Sequence, residues 1–389
     1  MNEIVDLHAP IQRYAWGSPT AIADLLGKTP SGEPEAELWM GEHPKAPAEV
    51  EIDGMRAPLH AVIDRAPESV LGSRVRERFG GRLPFLLKVL AAGQPLSIQA
   101  HPDLDQARAG FAREEAAGIA RDAPERGFRD QNHKPEVIYA LTPFWVLCGF
   151  REPAEILALT ERFGDSLPAR EALEDGDLDT FFRAFLDQPR AEAHERVERA
   201  LQHAGGQLDD PVGRWLTHLA THHPGDAGVL APLFMHLRRL DPGEALFTGP
   251  GVLHAYLGGL GIEIMASSDN VLRGGLTVKH VDREALASVV RTESSAPDLL
   301  DAERRATETR FAGMADEFTL SRIDVAPGES FETVEDPGVE ILLVTEGAAR
   351  LATTRGQRRV SRGDIVLVPA AVAGYRLDGD ATVFRAAVP

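Results

Sequence analysis

Three residues on one short segment have the types and the spacing that can bind a metal ion. Ser97, Gln99 and His101 alternate along the sequence just before Pro102. Residues two positions apart on an extended strand point to the same face, so these side chains would lie together. One strand could therefore supply two ligands for one metal ion, although a His before Pro at a strand end is also common as plain structure.

A second polar cluster, residues 130–136, runs directly into the apolar residues 137–141. It contains His133, Lys134 and Glu136. A carboxylate at the start of a buried strand can complete a metal site or transfer a proton. The alternative interpretation, a polar turn that leads into a strand, stays open for this cluster taken alone.

The third candidate is the glycine-rich run of residues 249–280, which carries His254, Glu263, Asp269, Arg273 and Lys279. His254 follows Pro250-Gly251 in an arrangement close to the second metal-binding motif of cupin β-barrels, in which a turn presents a His inward. Packing alone does not explain so many reactive side chains in one run, so we expect a functional site here.

The candidate ligands form a nitrogen and oxygen set: Gln99, His101, Glu136 and His254. Two imidazoles with a carboxylate suit Zn²⁺, but the same donors also form the facial triad of non-haem Fe(II) oxygenases. Nearby cations favour an anionic substrate, which an oxygenase with a neutral substrate would not require. These cations are Lys88, Lys134, Arg273 and Lys279.

The positioning elements change in type along the chain. Strand-like runs occur within residues 36–150, at 48–52, 84–92, 96–100, 136–141 and 144–150. Apolar residues then recur at helical spacing, which predicts helices at 153–163, 178–186, 191–204, 211–221 and 229–237. Strands return from residue 244, and a further helix is predicted at 283–291. The pattern predicts a mainly β fold with a helical insertion.

The last part of the chain has the pattern of a small sandwich or barrel. Alternating runs occur at 318–325, 339–344, 349–353, 364–368 and 382–387. Turn residues are predicted at Glu346-Gly347, Arg362-Gly363-Asp364 and Asp378-Gly379-Asp380. Because residues 281–389 contain no His, we expect this part to bind no metal.

The composition limits the class of protein. The 389 residues contain 41 Lys plus Arg and 60 Asp plus Glu, and the net charge of −19 excludes nucleic-acid binding by bulk charge. The single Cys148 cannot form an intramolecular disulfide, and the first residues lack the features of a signal peptide. No apolar run reaches the roughly 20 residues that span a bilayer. We expect a cytoplasmic protein with no nucleic-acid or membrane partner.

Several motifs follow one another in a specific order. They are Tyr14-Ala15-Trp16-Gly17, Glu37-Leu38-Trp39-Met40-Gly41, His43-Pro44-Lys45-Ala46-Pro47, Leu96-Ser97-Ile98-Gln99-Ala100-His101-Pro102, Asn132-His133-Lys134-Pro135-Glu136, Leu147-Cys148-Gly149-Phe150-Arg151 and Ser268-Asp269-Asn270-Val271-Leu272-Arg273. In this order they resemble the motifs of the type I mannose-6-phosphate isomerases. The resemblance extends to about Val281, and beyond it the chain is similar to the family only in pattern.

The resemblance implies a zinc enzyme of three parts. These are a cupin/jelly-roll catalytic domain at residues 1–151 and 241–292, an α-helical domain at 152–240, and a second, C-terminal jelly-roll-like domain without metal at 293–389. The ligands of one Zn²⁺ per chain would be Gln99, His101, Glu136 and His254. Two departures from the family pattern are Ala100, where Val is usual, and Val278, where Pro is common before the next residue.

The implied reaction interconverts D-mannose 6-phosphate and D-fructose 6-phosphate through a cis-enediol. The family's active-site arginine falls on Arg273, a poor base because its pKa exceeds about 12, so we assign it to stabilising the enediolate. We assign proton transfer to Lys134, with His133, Glu263 and Asp269 as alternatives, and Glu263 to polar contact with the sugar. Contacts to phosphate or sugar are assigned to Ser97, Lys88 and Lys279.

Two other functions compete with this interpretation. A cupin oxygenase would hold Fe(II) and consume oxygen. A non-catalytic sugar-phosphate sensor on the same scaffold should have lost a metal ligand or Arg273, and this sequence retains them all. We expect a monomer whose substrate is a phosphorylated hexose.

Overall fold

The computed structural model describes residues 1–52, 54–333 and 338–389. Two antiparallel sheets of eleven strands each and a group of helices make up this part of the chain. The expected mainly β fold with a helical insertion is confirmed, and the two sheets agree with the expected cupin-like and jelly-roll-like parts. Among the described residues, no helix has the length and apolar character needed to cross a membrane.

The strands are β1 (Val5–His8), β2 (Ile11–Gln12), β3 (Glu37–Met40), β4 (Glu49–Ile52), β5 (Met55–Pro58), β6 (Phe85–Ala92), β7 (Ile98–Ala100), β8 (Glu136–Ala140), β9 (Phe144–Phe150), β10 (Met235–Leu240), β11 (Ala245–Thr248), β12 (His254–Ala266), β13 (Leu272–Gly275), β14 (Asp298–Leu299), β15 (Glu303–Arg305), β16 (Glu308–Phe311), β17 (Thr319–Val325), β18 (Ser330–Glu332), β19 (Glu340–Thr353), β20 (Gly356–Ser361), β21 (Ile365–Val368) and β22 (Arg376–Ala387). The α-helices are α1 (Ala21–Leu25), α2 (Leu59–Arg65), α3 (Pro67–Leu71), α4 (Ser73–Phe79), α5 (Leu104–Ala116), α6 (Pro153–Arg162), α7 (Arg170–Glu174), α8 (Leu178–Asp187), α9 (Arg190–Ala204), α10 (Pro211–His222), α11 (Ala231–Phe234) and α12 (Arg283–Val289). A 3₁₀-helix, Ala227–Leu230, precedes α11.

The sheet that carries the candidate ligands is organised around the long strand β12. Its second half pairs with β6 and β8, and its first half pairs with β9 and β7. Gly259 has a φ of 132°, and a Cβ at this position would lie 2.6 Å from the ring of Phe144. A side chain there is therefore excluded by both conformation and space. Glycine at this position lets β12 change its partners, from β9 in its first half to β6 and β8 in its second half.

The helical insertion surrounds an aromatic core. Phe181 and Phe185 of α8 pack against Phe234, and Phe182 packs against Phe150 of β9. The side chain of Asp210 caps α10, and Pro211 occupies its first turn, where the missing N–H costs nothing. These aromatic contacts attach the helices to the back of the strands that carry the site.

Two sequence predictions about helices are wrong. The predicted helix at 229–237 ends at Phe234, because Met235–Leu240 pairs with β9 and long-range strand pairing overrides the helical spacing. The region 36–150, predicted as strands, also contains α2 to α5. Three of these four helices have at most seven residues, too few to show a sustained period.

The second sheet joins the two ends of the chain. Its strand order is β15-β16-β17-β22-β19-β21-β1-β4-β5, so β1, β4 and β5 lie with strands of the C-terminal part. Sheet membership thus does not follow the predicted domain division at the N terminus. The division itself stays a prediction.

Two of the predicted C-terminal turns lie inside strands. Gly347 sits within β19, where the register with β22 shifts between Val344 and Glu346, and Gly379 sits within β22. Gly347 has a φ of 67°, and a Cβ there would collide with the carbonyl of Asp380. Gly347 therefore lies at an irregularity inside a long strand. Such a position favours Gly, as a turn does.

Candidate metal centre and substrate pocket

Three candidate ligands from distant parts of the chain meet in the interior. Among the described residues, His101, Glu136 and His254 offer ligand atoms that all lie within 4.8 Å of one another. His101 Nε2 lies 3.4 Å from Glu136 Oε1, and His254 Nε2 lies 3.4 Å from Glu136 Oε2. All three residues are buried. Strand pairing creates the cluster, since β12 begins at His254 beside β7 and β8 begins at Glu136.

The outer hydrogen bonds of both imidazoles aim their inner nitrogens at the cluster. His101 Nδ1 donates to the Asn270 carbonyl at 2.7 Å, and His254 Nδ1 donates to the Val252 carbonyl at 2.9 Å. A carbonyl only accepts, so Nδ1 carries a proton in each ring, and Nε2 is the nitrogen that faces Glu136. A His that binds a metal through Nε2 needs its proton at Nδ1.

The electrostatics of the cluster keep its donors ready for a cation. Burial, together with the nearby Lys134 ammonium, lowers the pKa of His101 to about 4, so its ring is neutral. Burial alone would raise the pKa of Glu136, but the charge of the Lys134 ammonium opposes it and the pKa lies well below its usual range. Among the described residues, His101 Nε2 and Glu136 Oε2 are buried without a hydrogen-bond partner. Such atoms are costly to bury unless something binds them.

Gln99 reaches the same cluster. It pairs in register with His254 of β12 and Arg273 of β13, and its Nε2 lies 3.3 Å from His254 Nε2. A half-turn of the amide exchanges its oxygen and nitrogen. Gln99 can therefore present an oxygen to the cluster, which makes it suitable as a fourth ligand.

A cavity of about 640 Å³ opens beside the cluster, and Gln99 and Glu136 line it. Its wall also contains Arg129, Arg273 and Lys279, none of which is paired with a carboxylate among the described residues. Burial and Arg129 lower the pKa of Arg273, and burial and Arg273 lower the pKa of Lys279. These positive charges repel one another, so an anion would be attracted to the part of the cavity that they line.

Lys88 lies deeper than expected for a contact to phosphate. Its Nζ is 2.9 Å from Glu263 Oε2 and 3.3 Å from Glu37 Oε1, and all three side chains are buried. Burial lowers the pKa of Lys88, but the two carboxylates outweigh it and raise the pKa. The indole of Trp39 donates to Glu37 at 3.0 Å. The ammonium group is thus held between two carboxylates in the cavity wall.

The other predicted residues differ in their positions. Lys134 Nζ lies 2.8 Å from Glu136 Oε1, beside the cluster, and Ser97 lines the cavity. His133 points away, to Glu317 Oε1 at 2.7 Å. Asp269 forms ion pairs with His43 and Lys45 on the cavity wall. Lys134 is therefore the candidate proton carrier closest to the ligands.

The sequence analysis gave no role to three residues of the cavity wall. His43 Nε2 and Lys45 Nζ lie 3.3 and 2.9 Å from the two carboxylate oxygens of Asp269. Burial raises the pKa of Asp269, but both partners outweigh it and the pKa is lowered. His43 and Lys45 belong to one of the motifs quoted above, and Arg129 directly precedes the polar cluster at 130–136. Their place in that motif could therefore have indicated from the sequence that His43 and Lys45 belong to the site.

Comparison with known proteins agrees with this geometry. Residues 4–153 match the family model of the phosphomannose isomerase type I catalytic domain. The mannose-6-phosphate isomerase of Escherichia coli (strain K12) is 38% identical over 383 residues, an alignment that covers 96% of this chain and 97% of that protein. The chain belongs to this family. The family member from Homo sapiens is 32% identical over 407 residues, covering 94% of this chain and 93% of its own.

Solved structures of the family have the same fold. A mannose 6-phosphate isomerase crystallised in a zinc-bound holo form is 34% identical, with a TM-score of 0.91 and 99% of each chain covered. A mutant phosphomannose isomerase from Salmonella typhimurium gives the same TM-score, identity and coverage. The overall architecture of the type I family is therefore present along nearly the whole chain.

Proposed function

We propose that this protein is a zinc-dependent aldose–ketose isomerase that interconverts D-mannose 6-phosphate and D-fructose 6-phosphate. The observation that carries the proposal is the buried cluster of His101, Glu136 and His254 beside a cavity whose wall holds cations that no carboxylate of the described residues pairs with. The relatives named mannose-6-phosphate isomerase support this substrate, and their zinc-bound structure supports the metal.

The residues present fit one Zn²⁺ per chain. The proposed ligands are Gln99, His101, Glu136 and His254. Imidazoles whose Nδ1–H groups are held by carbonyls, together with one carboxylate, are typical zinc ligands, and two of the inner donor atoms lack another partner among the described residues. When bound, the ion supplies a Lewis acid that polarises the substrate oxygen beside the reacting carbon.

Residues of the cavity wall would stabilise charge, transfer the proton and bind the substrate. Arg273 carries a fixed positive charge and stabilises the negative charge that develops in a cis-enediol mechanism. Lys134, whose Nζ lies beside Glu136, would move the proton between C1 and C2: its neutral amine accepts the proton from one carbon, and the resulting ammonium returns it to the other. Lys279 and Ser97 hold the phosphate and sugar. Lys88 donates to Glu263 and would hold its carboxyl group toward the sugar hydroxyls, so it acts through Glu263.

Other expectations from the sequence stay predictions. They are the monomeric state, the cytoplasmic location, the lack of a nucleic-acid partner and the division into domains at 1–151 with 241–292, 152–240 and 293–389. The substrate proposal depends on none of them.

A coupled assay that supplies mannose 6-phosphate and detects fructose 6-phosphate tests the proposed function. We expect turnover, about one zinc per chain by metal analysis, and loss of both in His101→Ala. His194→Ala, which changes an exposed His of α9, should keep both. Full activity in a metal-free protein would refute the zinc site, and oxygen consumption with bound iron would indicate an oxygenase instead.

A further inference from the structure

The strand that carries Glu136 is held by the C-terminal part of the chain. Glu317, just before β17, contacts a residue that precedes β8. Arg322, within β17, contacts a residue of β8 itself. Glu317 Oε1 lies 2.7 Å from His133 Nε2, and Arg322 donates to the Tyr139 hydroxyl at 3.0 Å. The ring of Tyr139 also packs edge-on against Phe384 of β22. β8 is thus contacted near both ends by one neighbouring sheet.

The contact of Glu317 with His133 is largely buried. The side chain of Glu317 is 10% exposed and that of His133 is 19% exposed. Glu317 Oε2 is buried and has no hydrogen-bond partner among the described residues. Removing a carboxylate from water costs free energy, which a contact with a ring N–H offsets in part. The Glu317 carboxylate is therefore held in a defined position and does not form a loose contact at the surface.

The same segment is also held by hydrogen bonds to the loop at 267–270. Asn270 Nδ2 and Ser268 Oγ both donate to the Asn132 carbonyl, at 2.8 and 3.2 Å. The side chain of Asn132 donates to the Ser267 carbonyl at 3.2 Å. Asn132 is therefore held by the catalytic sheet, whereas the side chain of the next residue, His133, is held by Glu317.

Lys134 is the next residue after these two anchors. Its Nζ must reach Glu136 Oε1, 2.8 Å away, while its backbone follows His133 directly. A shift of the His133 backbone would move the base of the Lys134 side chain and the start of β8 together. Small displacements of a reacting group can lower rates strongly, by about a hundredfold for roughly 1 Å.

We propose that Glu317 is a positioning residue that acts through His133 to place Lys134 and Glu136, a role that rests on the function proposed above. The C-terminal part of the chain would then contribute to catalysis without touching substrate or metal. The hydrogen bond from His133 needs an oxygen acceptor at Oε1 but does not need that acceptor to be charged, so Gln can replace Glu317.

Four variants and one matched control test the proposal. Glu317→Ala removes the contact, and Glu317→Gln keeps the acceptor. His133→Ala, alone and combined with Glu317→Ala, tests whether the two residues act together. Glu308→Ala is the control, because Glu308 is a similarly buried C-terminal carboxylate, 13% exposed, that pairs with Arg385 at 2.5 Å and lies outside the catalytic segment.

We expect Glu317→Ala to lower kcat about tenfold with less than a twofold change in KM, and Glu317→Gln to restore kcat to within about threefold. Glu308→Ala should lower Tm to a similar extent without lowering kcat. The double variant should have the kcat of His133→Ala alone. Equal kcat values for Glu317→Ala and Glu308→Ala, or additive losses in the double variant, would overturn the proposal.

Zinc retention in a chelator competition separates this proposal from the function on which it rests. Because Glu136 lies on the positioned segment, Glu317→Ala should bind zinc about tenfold more weakly than Glu308→Ala does. A wild-type protein that binds zinc but does not isomerise mannose 6-phosphate would refute the proposed substrate, and this difference in zinc affinity would still decide the positioning role. Equal zinc affinities in the two variants would refute the positioning role.

Discussion

Asn270 connects more parts of the site than any of the proposed ligands. Its Oδ1 accepts from the backbone N–H groups of Arg129 and Asp130, at 2.6 and 3.1 Å. Its Nδ2 donates to the carbonyls of Asp130 and Asn132, at 2.9 and 2.8 Å, and its own carbonyl accepts from His101 Nδ1. The side chain is fully buried. One amide thereby fixes the loop that carries Arg129 and the orientation of a proposed ligand.

Replacing this amide by a carboxylate tests how much the network contributes. In Asn270→Asp, an oxygen without a proton would face two carbonyl oxygens, so two hydrogen bonds become repulsive contacts in the interior. We expect a loss of roughly 2 to 4 kcal/mol in the free energy of unfolding, measured by urea denaturation. Asn2→Asp makes the same charge change at an exposed residue and should cost less than about 0.5 kcal/mol. Equal stability of the two variants would contradict this role.

Residue types alone predicted the centre of the site better than its rim. His101, Glu136 and His254 have side chains with few other uses in a buried position, so the sequence indicated them directly, and the structure brings them together. Arg129 and the pair of His43 with Asp269 could not be found in this way. Their proximity depends on the pairing of distant strands and loops, which local spacing does not encode.

At the scale of elements, a close backbone contact fixes the loop that carries Lys279. Leu276 has a φ of 52°, unusual for a residue with a branched side chain, and Thr277 donates its N–H to Asp226. Gly228 of the 3₁₀-helix approaches this loop so closely that a Cβ would lie 2.8 Å from the Leu276 nitrogen. The helical insertion thus supports one wall of the cavity.

Gly228→Ala would push the loop toward or away from the cavity. The added methyl group meets backbone, which cannot move aside as a flexible side chain can, so Leu276 to Lys279 must shift. We expect a loss of about 1 to 3 kcal/mol in stability and a KM for mannose 6-phosphate that rises more than kcat falls. Gly206→Ala is the control, since no atom of the described residues lies within 4 Å of its Cβ position. An unchanged KM would show that the loop does not position a substrate contact.

The elements themselves were predicted where their pattern was long. Strands β6, β8 and β9 and helices α6, α8, α9 and α10 lie within a residue or two of the predicted ranges. The short helices α1 to α4 and α7 were missed, whereas the seven-residue α12 lies inside its predicted range of 283–291. Strand β10 was taken as the end of a helix because its partner β9 lies far away in sequence. Helix α5 did carry a local signal, a capping box between Asp103 and Gln106, which the sequence analysis did not use.

At the scale of the whole molecule, one apolar core unites the two sheets. It includes Val137 and Ile262 of the catalytic sheet together with Leu320, Leu343 and Phe384 of the C-terminal sheet. Because these residues pack in one cluster, the two sheets are expected to keep their relative positions during turnover. This shared core is what allows Glu317 to act on the site from a neighbouring sheet.

Buried carboxylates near this core make the stability of the molecule depend on pH. Glu42 is 8% exposed, its Oε1 accepts from Leu83 N at 2.7 Å, and its Oε2 has no hydrogen-bond partner among the described residues. Burial raises the pKa of Glu42 from 4.5 to about 7. Between these values the folded protein keeps a proton that the unfolded chain releases. The contribution of Glu42 to stability is therefore complete below pH 4.5 and is lost as the pH rises through 7.

Glu42→Gln should remove this dependence, because a neutral amide keeps the acceptor for Leu83 and cannot ionise. Each unit of pKa shift corresponds to about 1.4 kcal/mol, so the variant should gain roughly 2 to 3 kcal/mol relative to wild type between pH 5 and pH 8. Urea unfolding of both proteins at the two pH values measures the gain, and the pH dependence of zinc binding cancels in the difference. Glu77→Gln, at a side chain that is 72% exposed, should show no such change. A difference between Glu42→Gln and wild type that is the same at both pH values would mean that Glu42 ionises in the folded protein as it does in the unfolded chain.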